Sequence, residues 1–286
     1  IWDVTAQPPP VCEGCYCKKH CAVSIQEDIV YGQVVDDITS QQKDLLLDIY
    51  QPSEPLLSDS NGTARPAVVM IHGGAFIAGR RQDPIPAEEA QYFAEHGFVV
   101  FNIDYRVYSR QTIPQAGFVR EAVHDAKAAI RFVRRFAKNF NVDSTRIATW
   151  GTSAGAIISS SLDLVDEGHS GNLGFSSDVA AHIGLSGCLW PFLQAGGIRP
   201  SKQTPWFNVH GTEDPIVYPF MSAATYRFFQ SMGYSSSENV LAWILNGRHE
   251  PWQEPISPGE KPPKHTLREH IMSFLARSLK LGHQEC

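Results

Sequence analysis

The 286-residue sequence predicts an α/β fold, a mostly parallel central sheet flanked by helices. Two observations carry the prediction. From residue 66 onward, short apolar runs rich in β-compatible residues alternate with helix-like stretches, the pattern of parallel strands joined by crossover helices. The loops that leave several of these runs hold Gly-rich, acidic or His-bearing segments, at the edge where open α/β sheets bind ligands.

Residues 1–27 read as a Cys-rich N-terminal extension without periodicity, and 28–286 as one α/β domain. Runs 29–35 and 45–50 read as an antiparallel pair opening the sheet, and 51–65 as a Pro/Ser/Asp/Gly loop. Buried strands are expected at 68–71, 146–150, 180–186, 206–210 and 240–245. Helices are expected near 87–96, 116–138, 154–165, 218–232 and 266–280. In the second helix Ala122, Ala126, Ala129, Ile130, Val133 and Phe136 recur at helical spacing, a core face rather than a binding stripe. With 43% hydrophobic residues the chain can bury one substantial core. The formal net charge of −6 argues against a nucleic-acid or anionic-membrane partner. No apolar run approaches transmembrane length.

Four motifs carry chemistry. Gly151-Thr152-Ser153-Ala154-Gly155 lies between the strand-like 146–150 and a helix-like run. In that context G-x-S-x-G reads as a nucleophile elbow: a Ser on a sharp strand-to-helix turn, with small neighbours that let strand and helix approach. The helix start after it aims free N–H groups at a developing oxyanion. Upstream, Val68-Val69-Met70-Ile71 ends in His72-Gly73-Gly74-Ala75-Phe76, a Gly turn able to point backbone amides inward. The nucleophile needs a base, and the base a carboxylate to orient it. Asp214 sits just past the strand-like 206–210, and Pro215 stops that strand from continuing; His249 follows 240–245. Glu213 is the adjacent alternative acid. Asp163 and Asp166 fall on or just after the helix following Ser153, on the wrong side of its turn. His210 reads as a packed strand-end residue, His72 as a brace for its loop, and His265, His270 and His283 as solvated residues around the terminal helix.

With these motifs in this order, the chain resembles an α/β-hydrolase of the carboxylesterase type, close to the hormone-sensitive-lipase-like and microbial feruloyl/acetyl esterase-like groups. The likeness spans roughly residues 28–280. It rests on His72 to Phe76, Asp104-Tyr105-Arg106, the Ser153 pentapeptide, His210 to Asp214, and His249. The resemblance implies the α/β-hydrolase fold, and an oxyanion hole formed by the N–H groups of Gly74, Ala75 and Ala154. The chain departs from the family at Ala75, where a third Gly is usual, and at Thr152, where an acid is usual.

The expected function is a serine carboxylesterase acting on small or short-acyl or aryl esters through a Ser153-His249-Asp214 triad and an acyl-enzyme, with no metal or cofactor. Phe76, Tyr105, Trp190, Phe192 and Trp252 are expected to line the pocket. The stretch from 187 to 204, broken by Pro191, Gly196, Gly197 and Pro200, is too interrupted for a large lid. Rival readings are an amidase, formamidase or peptidase using the same triad, and a non-catalytic binding protein. The sequence is silent on oligomeric state.

Compartment is read from the cysteines. Cys12, Cys15, Cys17 and Cys21 are clustered, and Cys188 and Cys286 make the number even, so all six are disulfide candidates and secretion is expected. The cluster is too tightly spaced for the usual paired zinc knuckles. Asn61-Gly62-Thr63 is a glycosylation acceptor in a polar loop, and the chain opens at Ile1, consistent with removal of a signal peptide.

Overall fold

Among the residues described by the structure, a computed structural model, are nine strands: β1 (Trp2–Asp3), β2 (Val23–Val35), β3 (Gln42–Pro52), β4 (Arg65–Ile71), β5 (Val99–Ile103), β6 (Val142–Thr152), β7 (Ala181–Leu185), β8 (Trp206–Gly211) and β9 (Asn239–Ile244). The described residues are 2–3, 16, 22–35, 40–53, 64–108, 115–189, 203–250 and 263–281. The helices among them are α1 (Pro84–Glu95), α2 (Gln115–Arg135), α3 (Ala154–Ser161), α4 (Pro219–Ser231) and α5 (Pro263–Ser278). The strands form one sheet in the order β1-β9-β8-β7-β6-β4-β5-β3-β2. β2 and β3 pair antiparallel, as do β3 and β5; the other pairings are parallel.

The apolar runs are strands because both faces of the parallel region are covered. All residues of β4, β5, β7 and β8 are buried. Side chains alternate between the faces. Val69 and Ile71 of β4 join a core layer with Ile130 and Val133 of α2 and Ile158 of α3. Val68 and Met70 join the opposite layer with Phe93 of α1 and Phe274 and Leu275 of α5. The expected apolar face of α2 is in the first layer, with Ala122, Ala126, Ala129, Ile130 and Val133 buried and Phe136 partly buried against them.

The structure departs from the sequence reading in three places. The boundary at residue 27 falls inside β2, which starts at Val23, and Trp2–Asp3 adds to the sheet beside β9. A two-residue strand has no periodicity to read, and only its partner defines it. α3 ends at Ser161 and passes into a 3-10 turn, Leu162–Leu164, instead of running to 165. His270 is buried at 3% exposure, because it lies one helical turn before Phe274, on the face of α5 that packs on the sheet. Cys12, Cys15, Cys17, Cys21, Cys286, Asn61, Trp190, Phe192 and Trp252, and most of the stretch expected to lack a lid, lie outside the described residues. Cys188 is described and is a free, buried thiol rather than a disulfide half; burial pushes it up to about 12.

Two glycines let β6, α3 and β4 converge. A Cβ on Gly151 would fall 2.3 Å from the Gly155 carbonyl carbon, and one on Gly155 would fall 2.1 Å from the Ile71 carbonyl oxygen. Gly155→Ala is therefore expected to cost about 1–3 kcal/mol through forced separation of packed backbone, read as a lowered midpoint in chemical denaturation. A midpoint equal to wild type would show that the contact is dispensable.

Candidate active site

Ser153 occupies the turn between β6 and α3 at φ 50° and ψ −116°. A non-glycine residue held there stores roughly 1–3 kcal/mol of strain. The turn is over-determined: the Ser153 amide donates to Leu185 O on β7 at 2.8 Å, and the Ser153 carbonyl accepts from the Ile157 amide at 3.0 Å. α3 begins at Ala154, so its first amides open toward the same space as the hydroxyl.

The loop after β4 turns sharply at three consecutive positive-φ residues, Gly74 (115°), Ala75 (53°) and Phe76 (63°). The amides of Ile77 and Ala78 both donate to Gly74 O at 3.0 Å. A Cβ on Gly74 would fall 2.0 Å from Ala78 O, so glycine is required there. Among the described residues, none accepts a hydrogen bond from the amides of Gly74, Ala75 or Ala154.

His72 braces this loop. Its Nδ1 lies 2.6 Å from Gly73 O, and its ring stacks on Tyr105 at 4.2 Å. Burial lowers its basicity. The Tyr105 hydroxyl donates toward His72 O at 3.2 Å. Phe76 and Tyr105 were expected to line the pocket; both are buried behind the loop, at 7% and 3% exposure, with Phe76 turned into the core by its positive φ. The residues beside Tyr105 anchor the same region. Asp104 accepts from the Arg81 amide at 2.7 Å and pairs with the Arg81 guanidinium. Arg81 also donates from Nε to buried Asp48 at 2.8 Å and pairs with Asp28. Arg106 makes a two-pronged pair with Asp125 of α2, at 2.9 and 2.8 Å.

The acid and imidazole come from the loops after β8 and β9, which are zipped together. The Thr212 amide donates to Ile244 O at 3.0 Å, the Glu213 amide to Gly247 O at 2.8 Å, and the Asn246 amide to Thr212 Oγ1 at 2.8 Å. Asp214, not Glu213, reaches His249: Nδ1 to Oδ2 is 2.8 Å, whereas Glu213 is exposed. Oδ1 of Asp214 accepts the amides of Ile216 and Val217 at 2.8 and 3.1 Å. Burial alone would raise the Asp214 carboxyl; hydrogen bonds from His210, His249 and the Ile216 amide outweigh it and hold the group down at about 2.

Ser153, His249, Gly74 and Ala75 line one open cavity of about 630 Å³. Its apolar wall includes Ile216 and the entry of α1 at Ile85 and Pro86. The sequence reading missed this wall. The signal for Ile216 was its place two residues after Asp214; Ile85 and Pro86 are distant in sequence and come to the site only through the packing of α1. Among the described residues no helix is long and apolar enough to cross a membrane.

This arrangement of strand order, strained serine turn and Gly loop is the α/β-hydrolase fold. The BD-FAE family model matches residues 47–182. Among curated proteins the chain is similar to isoprenylcysteine alpha-carbonyl methylesterase of Arabidopsis thaliana, 32% identical over 57% of this chain and 34% of that protein. It is also similar to juvenile hormone esterase of Heliothis virescens, 29% identical over 47% of this chain and 24% of that protein. A third likeness, to the non-reducing polyketide synthase prhL of Penicillium brasilianum, is 30% identical over 46% of this chain. The chain thus spans only 5% of that synthase and about a quarter of the insect esterase. Esterase 2 of Thermogutta terrifontis in its propionate-bound form shares the fold, with a TM-score of 0.66 at 24% identity over 90% of this chain and 94% of that one.

The depressed Asp214 carboxyl has a consequence in acid. A carboxyl usually titrates near ~3.9 in an unfolded chain, so folding favours the Asp214 carboxylate. That stabilisation is complete above ~3.9 and is lost as pH falls toward 2. Thermal unfolding measured from pH 5 to 2 is expected to show a steeper loss of Tm in wild type than in Asp214→Asn. Parallel curves would remove Asp214 from the acid response.

Proposed function

We propose that the protein is a serine carboxylesterase that hydrolyses small carboxylic esters through an acyl-enzyme. The observation that carries the reading is the 2.8 Å bond from His249 Nδ1 to Asp214 Oδ2, on the rim of the cavity that holds Ser153 and the Gly74 and Ala75 turn. Bonding at Nδ1 leaves Nε2 for the serine. In the proposed mechanism Ser153 Oγ attacks the ester carbonyl while His249 Nε2 takes its proton. Asp214 holds the imidazole in that tautomer and stabilises its cation. The amides of Gly74, Ala75 and Ala154 receive the oxyanion. His249 then protonates the leaving alcohol, and water, activated by the same imidazole, releases the acid.

Small substrates are favoured by the cavity of about 630 Å³ and its short apolar wall. The Thermogutta esterase was captured with propionate and with butyrate bound, in line with a short acyl group. Secretion belongs to the same proposal and rests on the clustered cysteines and the Asn61 sequon; four alkylatable thiols in the 12–21 cluster of freshly expressed, secreted protein would oppose it.

Ser153→Ala is expected to lower turnover of a short-chain ester by about 10,000-fold or more, with binding largely retained. Activity within tenfold of wild type would exclude Ser153 as nucleophile. Across an acyl-length series the optimum is expected among short chains. A long-chain optimum with a jump in rate at the solubility limit would refute the preference.

A further inference from the structure

We infer that His210 is a positioning residue of the triad, donating through Nε2 to the same carboxylate oxygen of Asp214 that receives His249. This inference rests on the triad proposed above and extends it by one buried residue.

His210 is the penultimate residue of β8 and is wholly buried. Its Nε2 lies 2.7 Å from Val217 O and 2.9 Å from Asp214 Oδ2. Both neighbours are acceptors, so Nε2 carries a hydrogen and donates between them. On the other side of the ring, Nδ1 lies 2.6 Å from Ser222 Oγ of α4. Ser222 Oγ also sits against Gly187 O, and its one hydrogen serves either that carbonyl or His210 Nδ1. Asn208, two residues earlier on the same face of β8, donates from Nδ2 to Gly187 O at 3.1 Å and to Ser222 Oγ at 3.2 Å. Asn208 and Ser222 are also wholly buried. A polar chain therefore runs behind the acid, from Asn208 through Ser222 to His210, and α4 and β8 hold it rigid.

The effect on Asp214 follows from counting acceptor sites. A carboxylate offers about four lone-pair positions. Here Oδ1 takes the Ile216 and Val217 amides, Oδ2 takes His249, and His210 Nε2, whose single hydrogen is shared with Val217 O, lies 2.9 Å from the same Oδ2. With three bonds made and the fourth position facing His210, the carboxylate is held toward His249. Its negative charge is shared with His210, which restrains its pull on the imidazole proton. The titratable groups facing His210 are Asp214 and, beyond it, His249; α4 presents uncharged Ser222, and β9 presents the Trp243 ring at 6.2 Å. Glu213 and Arg248 in the same loops are exposed.

The test compares His210→Leu, which removes the donor, with His210→Gln, whose side-chain amide can donate from nearly the same place. For folded protein, kcat and KM are measured against pH on a short-chain ester. His210→Leu is expected to lower kcat by about 10–100-fold, the size of one hydrogen bond to a charged group, with KM little changed. Its acid limb is expected to move to higher pH by about one unit, because the unshared carboxylate holds the imidazolium more strongly. His210→Gln is expected to restore both. A folded His210→Leu with wild-type kcat and an unmoved acid limb overturns the inference, as does His210→Gln behaving like His210→Leu. If His210→Leu does not fold, Ser222→Ala carries the test: it keeps the ring but removes its prop, and the limb is expected to shift the same way, with an unmoved limb overturning the inference. Ser153→Ala separates the two levels. Retained activity there defeats the esterase proposal, whereas an inactive Ser153→Ala beside an unmoved His210→Leu defeats only the role of His210.

Discussion

Backbone contact at Gly155 organises this molecule. Because nothing but hydrogen stands on its Cα, α3 can rest against the Ile71 carbonyl at the end of β4. Two consequences follow from that single approach. The chain between β6 and α3 must turn within one residue, which forces Ser153 into its positive-φ conformation. The end of β4 is brought beside that turn, so the loop leaving β4 delivers the Gly74 and Ala75 amides to the serine. Ser153 and these amides are thus set by the same close packing. The Ser153 amide bond to Leu185 ties β7 into the assembly as well.

Strained loops persist only where their surroundings hold them. Three successive residues after β5 anchor this region, each in a different way. Asp104 pairs with Arg81, Tyr105 stacks on His72, and Arg106 locks into Asp125 of α2. Arg81 binds Asp28, Asp48 and Asp104 together, joining β2, β3 and the segment after β5 to the loop. Buried ion pairs of this kind add little net stability against an apolar alternative, but breaking one strands a charge. Their use here is geometric: they forbid the loop other positions.

The family match covers residues 47–182, from β3 to β7, and so includes Ser153 and the Gly loop but neither Asp214 nor His249. The fold likeness to the Thermogutta esterase extends over 90% of the chain. The serine side of the site is thus carried by sequence pattern, because its backbone demands particular small residues. Asp214 and His249 sit on loops after β8 and β9, joined by one hydrogen bond.

The sequence by itself determined the α/β class and most of the strands and helices, because hydrophobic periodicity is a local property, and it offered Ser153, Asp214 and His249 as candidates on loops after strands. It left Asp214 and Glu213 as adjacent candidates, and only the 2.8 Å contact with His249 distinguishes them. It was silent where a residue's role depends on a distant partner. The Trp2–Asp3 strand exists only because β9 has a free edge. Ile85 and Pro86 reach the cavity only because α1 packs across it. His210 reads locally as a packed strand end, and only the tertiary structure folds α4 and the Asp214 loop onto both of its nitrogens. Local sterics are written residue by residue, but a hydrogen bond between side chains is decided by where the whole sheet places them.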